Sequence, residues 1–413
     1  MRNRIPIALL TASLSLSGFL IGCGGGSGSS SPPPPPPPPP ANNVQAVAVN
    51  GGPVPGQIYP DGAFTSVTVC VPNTSTCQTV DGILVDTGSV GLRLLASAIP
   101  GLTLPKMTGN GGVTFYNCVS FVDGSFMWGP VAQADVKMAG EVASGGSIHL
   151  VQDPTGFTVP TACSNGGVDE DNLNALGANG ILGVGLEPLD CGPACDPSAG
   201  GTAPPVYFSC GASGNCQAAF VAMAKQVNNP VVLFSTDNNG LILQMQPLSA
   251  PAATATGSLI FGIGTQSNNQ VGSAKIFTLD NFDNFTTKFN SQTLTGSFID
   301  SGSNGFFFSD AAIAQCAGNS IAPGFFCPAS PQNLSAQNIG VNSAQSTVNF
   351  SVGNAVTMFQ SNPGDSAFPA LGGSGFTGSF DWGLPFFYGR SVFVAIDGQT
   401  MPAGTAASPW WAY

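Results

Sequence analysis

Two short segments carry residue types suited to acid–base chemistry. The first is Asp86-Thr87-Gly88-Ser89, which follows Ile83-Leu84-Val85. The second is Asp300-Ser301-Gly302-Ser303, which follows Phe298-Ile299, and its Asp lies 214 positions after the first. A lone Asp-Thr-Gly is an ordinary turn, with Asp and Thr bonding local backbone and Gly taking positive φ. Two copies, each leaving an apolar strand and each with Ser directly after Gly, are much harder to explain as turns. A strand-to-loop step after buried apolar residues holds a carboxyl group rigidly. Gly lets a second loop approach closely. The hydroxyls of Thr87, Ser89, Ser301 and Ser303 can then bond the carboxylates or the opposite loop. Two carboxyl groups held this way are suited to paired general acid–base work.

The elements that must position them read as mostly β. Short runs rich in Val, Ile, Phe and Thr are bounded by Gly, Pro, Asn and Asp. Val67–Val71, Leu241–Leu243, Ser258–Phe261, Val356–Phe359 and Val392–Ile396 are such runs. Phe306–Phe308 and Phe386–Tyr388 read as core strands. Helical periodicity is scarce, and its best instance is Gln217–Val227. The repeat extends beyond the two motifs. Each is followed downstream by a Gly in an apolar setting, first in Gly180-Ile181-Leu182-Gly183 and then in Trp382-Gly383-Leu384-Pro385. Two related β lobes account for this, residues 44–245 and 246–413.

Other chemistries find little support. A nucleophile–His system would have to use His149, the one His in the chain. It sits in the alternating stretch Ser147–Val151, where it reads as a plain strand residue. Gly262-Ile263-Gly264 lacks the third Gly of a dinucleotide loop. The acidic stretches 169–172 and 280–284 lack a calcium-ligand spacing and read as solvated loops. No cofactor and no metal site is expected.

The N-terminus indicates the compartment. Arg2 and Arg4 precede an uncharged apolar stretch ending in Leu20-Ile21-Gly22-Cys23. Residues 1–22 have the layout of a secretory signal, and the ending resembles the bacterial lipoprotein signal, in which the Cys is acylated. Gly24 after Cys23, by that resemblance, implies outer-membrane retention, facing the periplasm or the cell surface. Residues 23–43 then form a tether, with a Gly/Ser stretch and the proline run 32–40 as a semi-rigid spacer.

Composition agrees with export. Charged residues are 7% of the chain, against about a quarter in ordinary globular proteins, while hydrophobic residues are 43% and Gly numbers 55. The net charge is −12. Once Arg2 and Arg4 leave with the signal, seven cations face 21 acids, or −14. Such a body has no electrostatic footprint for nucleic acid. The 11 Cys become 10 with Cys23 set aside. They fall as Cys70 with Cys77, Cys191 with Cys195, Cys210 with Cys216 and Cys316 with Cys327, leaving Cys118 and Cys163 to pair across a longer loop. In an oxidising compartment this reads as disulfides, although several connectivities fit the count. With one His and no repeated Cys-x-x-Cys set, zinc is disfavoured.

The chain resembles the pepsin-type aspartic peptidases. The resemblance rests on Val85-Asp86-Thr87-Gly88-Ser89 and Ile299-Asp300-Ser301-Gly302-Ser303, supported by Gly180–Gly183 and the segment from Gly383 to Asp397. It implies a bilobal pepsin-like fold with a cleft between the lobes. It also implies a monomeric endopeptidase acting on polypeptides. In that family two carboxyl groups about 3 Å apart share one proton. One takes a proton from water and the other donates one. By resemblance Asp86 and Asp300 are that pair. Ser89 and Ser303 bond their outer oxygens, and Thr87 and Ser301 tie the loops together. The family also carries a flap with a Tyr over the pair. The best match here is Phe121-Val122-Asp123-Gly124-Ser125, with Phe121 at the Tyr position and Tyr116 or Trp128 as substitutes. Three details resemble more closely a bacterial lipoprotein family of unassigned function. They are Cys70/Cys77 before the first motif, Gly91-Leu92-Arg93 after it, and Ser303-Asn304-Gly305 at the end of the Asp300 motif.

Overall fold

The structure is a computed structural model that describes residues 42–152, 157–211, 214–375 and 377–413. The signal segment, Cys23 and the tether up to residue 41 lie outside the described residues. Among the described residues, strands make up 42% and helices 10%. Charge-poor, Gly-rich sequence with frequent β-branched and aromatic residues favours short strands and tight turns over helices. The first half of the chain forms β1 (Val44–Gly51), β2 (Tyr59–Cys70), β3 (Cys77–Asp86), β4 (Val90–Leu95), β5 (Thr114–Ser120), β6 (Phe126–Met138), β7 (Glu141–Val151), β8 (Gly180–Val184), β9 (Tyr207–Cys210) and β10 (Cys216–Ala218). The second half begins with β11 (Gly240–Met245), β12 (Ala255–Phe261), β13 (Ile276–Thr278), β14 (Phe285–Phe289), β15 (Gln292–Ile299) and β16 (Phe306–Phe308). It ends with β17 (Gln332–Ile339), β18 (Gln345–Val352), β19 (Gly372–Ser374), β20 (Phe380–Trp382), β21 (Ser391–Ala395) and β22 (Trp410–Ala412).

These strands build two sheets. The larger runs β10-β9-β5-β6-β7-β4-β8-β3-β2-β1-β12-β11-β21-β22-β13, and the smaller runs β18-β17-β14-β15-β20-β16-β19. The expectation of a mostly β chain is met. The halves share one structural idea. In the first, β3 and β4 flank the Asp86 loop and β8 inserts between them, parallel to β3 and antiparallel to β4. In the second, β15 and β16 flank the Asp300 loop and β20 inserts between them, parallel to β15 and antiparallel to β16. An inserted strand is covered on both faces, and β8 and β20 are accordingly buried throughout.

The main core continues across both halves, from Val47, Val69 and Leu182 to Phe308, Trp382 and Val394. A separate polar contact also joins them. Asp61 is buried at a φ of 48°, a left-handed conformation that Asp tolerates better than most residues. Its amide donates to Ser366 O at 2.7 Å. Its Oδ1 accepts from Phe368 N at 2.7 Å and from the Tyr388 hydroxyl at 2.6 Å. Burial holds the Asp61 carboxyl well above the usual carboxylate range.

The five expected disulfides are present: Cys70–Cys77, Cys118–Cys163, Cys191–Cys195, Cys210–Cys216 and Cys316–Cys327. Three local expectations fail. Gln217–Val227 is not a helix. The Cys210–Cys216 link closes the β9–β10 hairpin, and the rest is a single 3-10 turn at Met223–Lys225. Val221 N bonds Cys195 O and Val227 N bonds the Tyr207 hydroxyl, so their amides serve distant partners instead of a helix ladder. Val356–Phe359 lies inside a helix, Ala355–Ser361, instead of a strand. Asn354 caps that helix by accepting from Thr357 N, and Ala355 and Phe359 make its buried stripe. Phe386 is core but belongs to a 3-10 turn entered through Pro385.

The Asp61 contact yields the first prediction. Tyr388→Phe removes the hydroxyl donor to a buried carboxyl and should cost about 1–3 kcal/mol. Urea unfolding would measure it, and an unchanged midpoint would mean that the contact contributes nothing.

Candidate active site between the two lobes

The two Asp loops meet across the lobes through reciprocal hydrogen bonds. Thr87 N donates to Ser301 Oγ at 3.1 Å, and Ser301 N donates to Thr87 Oγ1 at 3.0 Å. Each hydroxyl then donates onward into the opposite strand, Thr87 to Ile299 O at 3.3 Å and Ser301 to Val85 O at 2.8 Å. Both side chains are buried. Every donor and acceptor in this exchange is used, as burial requires.

Above it sit the carboxyl groups in matching settings. Asp86 Oδ1 accepts from Gly88 N at 2.8 Å, and its Oδ2 accepts from the Ser89 hydroxyl at 2.7 Å. Asp300 Oδ1 accepts from Gly302 N at 2.7 Å, and its Oδ2 accepts from the Ser303 hydroxyl at 2.7 Å. The glycines reveal how close the two groups are. A Cβ on Gly88 would stand 2.6 Å from Asp300 Cγ. One on Gly302 would stand 2.7 Å from Asp86 Oδ1 and 3.1 Å from Asp300 Oδ1. Both inner oxygens therefore border the same small space. Each loop has a second glycine requirement behind it. A Cβ on Gly183 would meet Val90 backbone at 2.7 Å, and one on Gly383 would meet Gly305 O at 2.1 Å.

A cleft of about 300 Å³ opens beside the carboxyl pair, bordered by Thr87, Ser89, Val122, Leu186, Phe282 and Trp411. The flap match is a real hairpin. β5 and β6 pair antiparallel, and Phe121–Ser125 forms the turn between them. Asp123 caps that turn, its Oδ1 accepting from the amide and hydroxyl of Ser125 at 2.9 and 2.7 Å. An acid in the flap is thus a local turn former. The residue over the cleft is Val122, 62% exposed. Phe121 turns instead toward the core of Tyr59, Phe64 and Leu176. Tyr116 and Trp128 are not substitutes for a flap Tyr. They stack at 5.1 Å in a buried cluster with Phe208, and the Trp128 indole donates to Phe157 O. Sequence reasoning missed Val122, because the residue that faces the cleft depends on how the hairpin leans.

It also missed a buried polar network behind the first loop. Arg93 on β4 donates to Asn117 Oδ1 at 2.7 Å, pairs with Asp190 at 3.3 Å and contacts His149 Nδ1 at 3.0 Å. Asn117 Nδ2 also donates to Asp190 at 2.8 Å, and the Tyr207 hydroxyl donates to the same carboxylate. Burial, then the guanidinium charge, hold His149 well below its ordinary value, so it is neutral and accepts at Nδ1. The network links the strand leaving the Asp86 loop to β5 of the flap. His149 is a strand residue as expected, with a structural partner and no place at the cleft. On the cleft's acidic rim, burial and then the facing Asp283 push Glu187 up to about 7.

The family profile described as "Protein of unknown function (DUF3443)" matches residues 39–413. No curated protein matches the chain. Among solved structures, the chain is similar to an aspartic proteinase from Irpex lacteus, at 16% identity and a TM-score of 0.49, over 89% of this chain and 96% of that one.

The close approach of the loops makes a specific demand on their glycines. Gly88→Ala and Gly302→Ala should each cost about 1–3 kcal/mol through overpacking. Gly364→Ala, at a position with open space around it, should be close to neutral. Equal unfolding midpoints for all three would contradict the packing described.

Proposed function

The chain belongs to the family described as "Protein of unknown function (DUF3443)", and we propose that it is a lipid-anchored aspartic endopeptidase. The observation that carries this reading is the convergence of Asp86 and Asp300 on one space, each held by a Gly amide and a Ser hydroxyl. Two carboxyl groups in such proximity cannot both ionise cheaply, so the pair holds one proton. A water in the shared space gives its proton to the ionised member and attacks a peptide carbonyl. The protonated member donates to the carbonyl oxygen, and the pair then returns a proton to the leaving amine. Thr87 and Ser301 position the loops and do not touch the reacting atoms. The near-identical settings of the two carboxyls leave the base and acid roles to whichever holds the proton.

The cleft beside the pair favours apolar side chains near the cut, given Val122, Leu186, Phe282 and Trp411 on its walls. The N-terminal features complete the proposal. Cys23 carries the lipid, the Gly/Ser/Pro tether holds the body off an outer membrane, and the substrate is a polypeptide at the periplasmic or outer face. The five disulfides suit that compartment. A second reading keeps the fold without the reaction, as a binding protein of the envelope. It is favoured by one feature, the flap turn Phe121–Ser125, which contains no Tyr.

Incubation of the purified full chain with a denatured protein mixture, from pH 2 to neutrality, separates the two. We expect cleavage with an acidic optimum, because the pair must keep one proton. Asp86→Asn and Asp300→Asn should each lower the rate by about 10³-fold or more, the scale of losing a member of a catalytic unit. Full activity in either variant would rule the peptidase out. Absence of cleavage at every pH, together with partner capture that survives loss of both aspartates, would establish the binding protein instead.

A further inference from the structure

A cavity of about 320 Å³ opens in the second half of the chain, and it shares no lining residue with the cleft. Its floor is apolar, with Phe306, Phe350 and Pro385 all buried. Ser249 and Asn349 stand on its wall and are exposed. Tyr388 also lines it, but the Tyr388 hydroxyl is committed to Asp61 at 2.6 Å. Arg390 is the one charged residue among those that line the cavity, and no acid faces it there.

The fold holds this arginine in place. Its amide donates to Phe387 O at 2.9 Å, and its carbonyl accepts from Met245 N at 3.2 Å. Its guanidinium carbon lies 4.6 Å from the ring centroid of the fully buried Phe386, and Nη1 donates to Phe386 O. The other edge of the planar fork is free. Nε and Nη2 have no hydrogen-bond partner among the described residues, and neither is sealed from solvent. Arg390 also makes no ion pair among the described residues. The chain holds 21 acidic residues against nine basic ones, so acids are plentiful and this cation still has none. Burial lowers the guanidinium from its ordinary value, and the group acting the other way is the Tyr413 phenol. A half-buried cation without a counter-charge carries a cost that a bound anion removes.

We propose that this cavity is a binding site for a monoanionic carboxylate bearing one apolar group, held by Nε and Nη2 of Arg390. Those two nitrogens form the side of the guanidinium that matches a carboxylate with two parallel hydrogen bonds. A phosphate dianion calls for a second cation, and none lines the cavity. The chain's net charge of −12 also opposes a dianion. The aromatic floor beside the guanidinium selects an apolar group next to the carboxylate. The volume is at the small end for a ligand pocket, so that group is about the size of one side chain. The free C-terminus of a polypeptide and a small aromatic acid share this chemistry. The proposal does not depend on the peptidase reading.

The test titrates ¹⁵N-Arg-labelled full chain with N-acetyl-glycyl-phenylalanine, with its C-terminal amide and with phenylacetate, followed by NMR. The chain has four arginines, and Arg390→Gln identifies the Arg390 Nε–H signal. An acid that binds should move that signal saturably. The amide should bind about tenfold or more weakly than the peptide acid, because it loses the charge-assisted pair. Arg390→Gln should weaken the acids by a similar factor. Ala370→Phe narrows the cavity from its wall and leaves Arg390 in place, and it too should weaken them about tenfold. Whichever acid binds more tightly names the source, a chain end or a small organic acid. A signal unmoved by either acid up to about 10 mM would overturn the proposal. So would equal affinity for acid and amide, or undiminished affinity in Ala370→Phe. If Arg390→Gln does not fold, Arg390→Lys supplies the assignment, and the acid–amide comparison with Ala370→Phe decides.

Discussion

The hydrogen-bond exchange between Thr87 and Ser301 is the interaction on which the site depends. It is built from short side chains with little rotamer freedom, and it bonds backbone on both sides of the lobe interface. Each bond is worth only about 1 kcal/mol net. Breaking the exchange costs more, because buried amides and carbonyls would be left without partners. The exchange is therefore nearly all-or-none. It sets the distance between two loops that come from different halves of the chain, and so the distance between the carboxyl groups they carry.

The rest of the architecture serves to make that exchange possible. An inserted strand behind each loop, β8 or β20, fixes the loop's depth, and a glycine in or beside each, Gly183 or Gly383, lets it pass directly behind. The hydrophobic core is continuous beneath both loops, so the lobes form one packed body under the cleft. Polar groups are spent sparingly in a chain with 7% charged residues. Where they are buried, they mark positions the fold must hold. Asp61 joins the start of β2 to the segment around Phe368. Arg93 joins the strand after the first loop to the flap.

The two lobes are related without being equivalent. Arg93 and its network stand behind the Asp86 loop, while Asp381 stands behind the Asp300 loop.

Much of this was legible in the sequence, for a physical reason. Turn chemistry and close approach demand particular residues at particular places, so Asp-Thr-Gly-Ser and Asp-Ser-Gly-Ser, with a Gly in an apolar strand later, could be read as paired loops. Strands showed in the β-branched runs, and four of the five disulfides showed in the close spacing of their Cys, since short loops close readily, while Cys118–Cys163 spans a longer loop. Local propensity misled where distant partners set the conformation. Gln217–Val227 has a helical pattern, yet its amides serve Cys195 and Tyr207. Val356–Phe359 is rich in strand formers, yet Asn354 caps a helix there. What only the tertiary structure decided is which side chains meet across hundreds of positions. Val122 faces the cleft in place of Phe121 because of the lean of one hairpin. Arg93 finds Asp190 through strand insertion that no local pattern encodes.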